Sequence, residues 1–231
     1  MMKIKSLACA TLLATLGSLA SATVTQDNGA YTITYDETTP GFGALSLSVN
    51  DGVTASFQWN LNSSVAAVLV GDGSLSKTFA LPSFSIVANP GWALSGPVTG
   101  FLGNLGFNEL NGGTTSVSYS GNVGLVGGPA SPVAGNLDRT VSSTLPGTYA
   151  LGYYSGTLTT GAGPLPSLAL SGASIALNLT GNGPASFASV LGQPQNELKI
   201  SFQVAAVPEP DASAMLLAGL AALGLVARRR R

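Results

Sequence analysis

The feature that most limits what this chain can fold into is its period. From Thr23 to Val207 apolar residues recur at every second position, not every 3.6. Tyr31, Ile33 and Tyr35 alternate with Thr32 and Thr34; Leu45, Leu47 and Val49 alternate with Ser46 and Ser48. Val53, Ala55, Phe57 and Trp59 repeat the pattern, as do Ile175, Leu177 and Leu179, and then Leu198, Ile200, Phe202 and Val204. Successive side chains of a strand point to opposite faces, so this pattern predicts antiparallel sheet with one buried face. The expected fold class is all-β, an antiparallel β-sandwich or jelly-roll-like body. Further strands are expected over Val65–Val70, Lys77–Val87, Thr114–Ser120, Thr140–Leu145, Tyr149–Thr159 and Ser167–Leu170. Between Asn89 and Gly113, and between Gly121 and Asn136, Gly and Pro are dense and the alternation fades. Long surface loops are expected there.

Asn50-Asp51-Gly52 joins two alternating runs. A two-residue loop would mix the faces. A three-residue loop sets Val49 opposite Val53, Leu47 opposite Ala55 and Leu45 opposite Phe57, with Gly52 supplying the left-handed residue at its end.

The two ends read differently from the body. Residues 1–22 begin with Lys3 and Lys5 and continue with a mostly apolar stretch from Ser6 to Leu19. Ala20-Ser21-Ala22 follows, and the small side chains of Ala20 and Ala22 suit signal peptidase. This is the layout of a secretory signal peptide cleaved after Ala22. Cys9 would leave with it, and it is a poor acylation site because too little apolar sequence precedes it. At the other end, Ala212 to Ala227 is 16 residues without charge. As a helix it would be about 24 Å long, against a bilayer core of about 30 Å. Thinning of the bilayer and snorkelling of arginine make that a workable span. Arg228, Arg229, Arg230 and Arg231 resist translocation and are expected to stay in the cytoplasm. The exported body is then residues 23–206, and the tail 207–231. Pro208 and Pro210 lack backbone N–H groups and push Val207 and Glu209 toward extended geometry. A protease can thread such a strip; Asp211 can cap the helix that follows.

Pro208-Glu209-Pro210, the apolar span and the terminal arginines together resemble the PEP-CTERM sorting signal of Gram-negative bacteria. The resemblance covers about the last 24 residues. It implies recognition by exosortase, a membrane-embedded cysteine protease that removes the tail. It also implies passage across the inner membrane, brief anchoring there through the C-terminal helix, and a final place at the cell surface or outside the cell. Proteins with this signal are commonly associated with exopolysaccharide and biofilm, but their bodies differ widely. The tail therefore gives a route and not an activity.

Composition narrows the activity. Charged residues make up 8% of the chain, against roughly a quarter in ordinary soluble proteins. The body keeps only Lys77, Arg139 and Lys199 as cations, and its acids outnumber them. No basic stripe exists for a phosphate backbone, so no nucleic-acid partner is expected. There is no histidine, and Cys9 is the one cysteine. That removes the commonest metal and haem ligands, Ser-His and Cys-His pairs, and the usual general base. No catalytic residue, metal or cofactor is expected.

The remaining candidates each have a plainer reading. Gly71-Asp72-Gly73-Ser74 lacks the spaced oxygens of a calcium loop and reads as a tight turn. Asp36 and Glu37 are neighbours on a strand end, so they cannot readily share one site as glycosidase carboxylates. Gly181-Asn182-Gly183 is turn chemistry. Trp59 continues an apolar face and belongs to the core. Trp92, with one of the pair Tyr153 and Tyr154, is the candidate glycan contact. The leading expectation is a non-enzymatic surface or matrix protein. A carbohydrate-binding module is the alternative, and a hydrolase using carboxylates alone comes third.

Overall fold

The computed structural model describes residues 23–145, 148–161, 163–192 and 197–207, together with Leu220. The expected signal peptide (1–22) and, apart from Leu220, the Pro-Glu-Pro strip, apolar span and arginines (208–231) lie outside the described residues. Among the described residues no helix is long and apolar enough to cross a membrane.

The body is all-β. Its first half supplies β1 (Thr23–Asp27), β2 (Tyr31–Asp36), β3 (Phe42–Asn50), β4 (Thr54–Leu61), β5 (Ala66–Val70), β6 (Gly73–Ala80), β7 (Phe84–Ala88) and β8 (Trp92–Leu110). The second half supplies β9 (Thr114–Gly124), β10 (Ala130–Asn136), β11 (Asp138–Leu145), β12 (Tyr149–Thr159), β13 (Ser167–Gly181), β14 (Phe187–Leu191) and β15 (Glu197–Ala206). Two antiparallel sheets result. One has the order β1-β2-β7-β13-β9-β10, with β6 also on β13. The other has the order β11-β12-β8-β15-β4-β3, with β14 on β8 and β5 on β14.

Each sheet is organised by one long strand. β13 carries β9 along one side, and β7 then β6 along the other. β8 carries β12 along one side, and β15 then β14 along the other. The aromatic core lies where β2 and β7 face β4 and β15. Tyr31 meets Phe202 edge-on at 5.0 Å between centroids, and Trp59 packs against Tyr35 and Phe84 at 6.2 and 6.0 Å. These contacts tie the two sheets into one core.

Several sequence expectations are corrected here. The stretch expected as a loop from Asn89 to Gly113 is mostly β8, the central strand of its sheet. Its alternation is hidden because the strand is bulged twice. Pairing with β15 slips between Ser201 and Gln203, near Gly96; pairing with β12 slips between Tyr154 and Gly156, near Asn104. Gly96 and Asn104 both take positive φ, 74° and 60°, and the bulge at Asn104 moves the inward face from Leu94, Val98 and Leu102 to Leu105 and Phe107. The second expected loop, Gly121 to Asn136, is the end of β9, a short turn, and all of β10. Lys77–Val87 is two strands, because Leu81-Pro82-Ser83 interrupts it and Pro82 has no N–H to give a ladder. Ser167–Leu170 and the run to Leu179 are one strand, bulged at Gly172. β1 and β14 had no periodic signal.

The β3–β4 hairpin does turn through three residues, but these are Asp51, Gly52 and Val53. Asp51 caps the turn, its carboxylate accepting from the Val53 and Thr54 N–H groups. Gly52 has φ 84°. Leu47 pairs with Phe57 and Leu45 with Trp59, two residues beyond the expected partners Ala55 and Phe57, because the turn end pairs Asn50 with Ala55 and a bulge follows between Leu47 and Val49.

The outer face of the second sheet is also not purely polar. Leu145, Tyr149, Leu110, Phe187 and Val70 stand in register across five strands. Leu145 and Val70, at its two ends, are exposed.

Tyr31 and Trp59 are buried with no partner for the Tyr31 hydroxyl or the Trp59 Nε1. Burial raises the Tyr31 pKa, and the same cause leads at Tyr35 and Tyr154. Asp27 and Asp51 are held low, chiefly by backbone N–H groups. A folded tyrosine with a raised pKa keeps its proton after the unfolded one has ionised, so stability falls as pH rises above about 10. An aspartate held low loses its contribution as pH falls below about 4. With no histidine in the chain, thermal melts should give a flat midpoint between about pH 5 and 9. Tyr31→Phe removes the unpaired hydroxyl. It should raise stability by about 1 kcal/mol and soften the alkaline fall. A loss of stability in that variant would mean that the hydroxyl has a partner.

Candidate functional site

The end of the last strand is well defined. β15 is paired with β8 as far as Ala206, which lies opposite Trp92. The last backbone bond among the described residues is Val207 N–H to Gly91 C=O at 2.8 Å. The next residue in the sequence is Pro208, which has no N–H to give a ladder. Three turns gather round this exit. Asn89-Pro90-Gly91-Trp92 closes with the Trp92 N–H on the Asn89 carbonyl at 2.9 Å, with Gly91 at φ 80° as a type II turn requires. The Asn89 side chain donates to Asp27 Oδ1 and Gly29 C=O, fixing the β1–β2 turn beside it. The β3–β4 turn joins through Val204 N–H to Val53 C=O at 2.7 Å.

The three aromatic candidates do not converge. Trp92 is exposed at the exit. Tyr153 pairs with Gly106, and positions 92 and 106 of β8 are 14 residues apart. At about 3.3 Å per residue that is on the order of 40 Å, too far for one sugar platform. Tyr154 is buried, and its hydroxyl donates to the Thr115 carbonyl at 2.6 Å. Of the adjacent tyrosines, Tyr153 is the one left partly exposed. Trp59 lies in the core, as its strand face implies.

A polar cluster that the sequence does not announce sits beside Tyr154. Glu109 of β8 is the buried carboxylate among the described residues. Its Oε1 accepts from the Thr115 N–H at 2.7 Å and the Thr115 hydroxyl at 2.6 Å. Its Oε2 accepts from Arg139 at 2.6 Å, and that guanidinium lies 4.5 Å from the Phe107 ring centroid. The cluster joins β8, β11 and β12 of one sheet to β9 of the other. Both carboxylate oxygens are engaged, so Glu109 offers no free base. Arg139 could have drawn notice as one of three body cations, but 30 positions separate it from its partner.

An apolar cleft of about 100 Å³ lies between the sheets, with Val98, Leu102, Tyr119, Leu137, Leu168 and Ile200 among its walls. Among the described residues its ionisable lining is Tyr119. Among the described residues no three His, Cys, Asp or Glu gather to hold a metal. Gly71-Asp72 is the short link from β5 to β6, and Asp36-Glu37 closes β2 toward solvent.

Residues 206–231 match the family model of the PEP-CTERM protein-sorting motif. No curated protein matches the chain. The chain thus carries a PEP-CTERM motif, which points to export, membrane-associated sorting and exosortase processing. The motif begins at Ala206, where the last strand ends.

Proposed function

We propose that this chain is an exported structural protein of the cell surface or extracellular matrix, associated with exopolysaccharide and biofilm, and that it is not an enzyme. Signal peptidase cuts after Ala22. The span Ala212 to Ala227 holds the precursor in the inner membrane, with Arg228 to Arg231 on the cytoplasmic side. Exosortase then acts on the strip around Pro208, Glu209 and Pro210, and the body is released or re-attached. The observation that carries this reading is the coincidence of two boundaries. The sorting motif starts where the sheet ladder stops. Cleavage beyond Val207 leaves intact the Val207 N–H bond to Gly91 and the β15–β8 pairing. Scarcity of charge and the apolar row on the outer sheet face support a packing role over a catalytic one.

The test is the intact mass of the protein from native cells, with and without exosortase. Loss of residues 1–22 in both strains, and of the segment around 208–231 only with the enzyme, is the expected result. An intact tail in both strains would overturn it. The matrix role falls if deleting the gene leaves exopolysaccharide and flocculation unchanged.

A carbohydrate-binding body is the second reading, favoured by the exposed Trp92 alone. Titration with the native exopolysaccharide should then show binding that Trp92→Ala abolishes.

A further inference from the structure

We infer that the exit end of the body is a membrane-facing surface, and that Trp92 with Val53 and Val207 seats it on the zwitterionic interface of the bilayer while the precursor is anchored. This rests on the tail-anchoring reading above. The argument is first one of reach. Four residues, Pro208 to Asp211, separate Val207 from the apolar span. Fully extended chain covers at most about 3.6 Å per residue, so Val207 stands within roughly 18 Å of Ala212. The headgroup layer on each side of the hydrocarbon takes up about 5–8 Å of that. An apolar span of about 24 Å against a core of about 30 Å draws the exit closer still. The body is therefore held at the headgroups by this end.

The second part is the chemistry of that end. Trp92 is 36% exposed, Val53 57% and Val207 48%. All three belong to the turns and strand ends tied together by the Val207–Gly91, Trp92–Ala206 and Val204–Val53 pairings. Tryptophan is the side chain enriched at membrane interfaces, where an apolar ring and a polar N–H are both satisfied. No body cation sits in these turns, and the charges there are Asp27 and Asp51, each engaged by its own turn. Attraction to anionic lipid is thus not the driving force, and a zwitterionic bilayer suffices.

The experiment reconstitutes the full chain into phosphatidylcholine vesicles, plain or brominated on the acyl chain near the headgroup. Trp92 emission should be quenched by the brominated lipid. Trp59, buried in the core, is the internal reference. Trp92→Phe should lose the lipid-dependent quenching and keep the Trp59 signal of a folded body. If the chain floats with the vesicles but brominated lipid quenches nothing, the membrane-facing surface is wrong and the anchoring stands. If the chain does not float, the anchoring is wrong and this inference falls with it.

Discussion

Gly152→Ala is expected to destabilise the body by at least about 3 kcal/mol, although it adds one methyl group to a residue midway along a strand. Gly152 of β12 lies between Val141 of β11 and Phe107 of β8. The β11 strand is bulged here, between Val141 and Ser143. The bulge brings its backbone into the space a side chain at 152 would need. A Cβ there would overlap the Thr140 carbonyl oxygen and stand 2.9 Å from the Phe107 ring. Neither is the soft end of a flexible side chain, so β11 must move away from β12. β11 also carries Arg139, whose guanidinium is placed over Phe107 and against Glu109. The substitution thus adds the loss of a half-buried charge pair to the steric cost. Gly161→Ala is the control. Nothing lies within 4 Å of a Cβ at 161, and its change should stay within about 0.5 kcal/mol. Urea unfolding of both variants checks this; a Gly152→Ala midpoint close to that of Gly161→Ala would show that β11 yields freely.

The same residues explain how much of the fold could be read beforehand. Strands with an unbroken period of two were legible: β2, β4 and β15 carry Tyr31, Phe57 and Phe202 inward at every second position. The strands that organise the sheets were the least legible. β8 and β13 are bulged, and a bulge shifts the inward face by one residue, so the alternation cancels along the strand. Gly and Pro in β8 then look like loop composition when they are the means of bending a long central strand. The site was legible in a different way. Pro208-Glu209-Pro210 is local and covalent, so its chemistry is readable from order alone. Glu109 and Arg139 meet only because β8, β12 and β11 are neighbours. No spacing rule connects two residues across three strands, and the cluster was missed for that reason. Trp92 lay between the two cases: its exposure was foreseen, but its place beside the chain exit depends on its pairing with Ala206.

Arg139→Met should cost more than Glu109→Gln, and the two together should cost less than their sum. The Glu109 side chain is 9% exposed, whereas that of Arg139 is 38% exposed. Removing the cation strands a carboxylate that water reaches poorly, at about 2–4 kcal/mol. Glutamine at 109 keeps an oxygen for the Thr115 N–H and hydroxyl, and the released guanidinium can turn to solvent. That change should cost about 1–2 kcal/mol. In the double variant no charge is left unpaired, and methionine still covers Phe107. The coupling read from urea midpoints should be about 1–3 kcal/mol in favour of the native pair. Additive single effects would mean that the two groups are hydrated separately despite their contact. The distinction bears on the body's role. A protein that keeps only three cations in its exported part, and commits one of them to joining β11 to β8 beside a residue of the opposite sheet, is using charge to fix one end of its own fold. Few cations are then left over for recognising an anionic partner, and apolar side chains face solvent in the row on the second sheet and at the exit around Trp92.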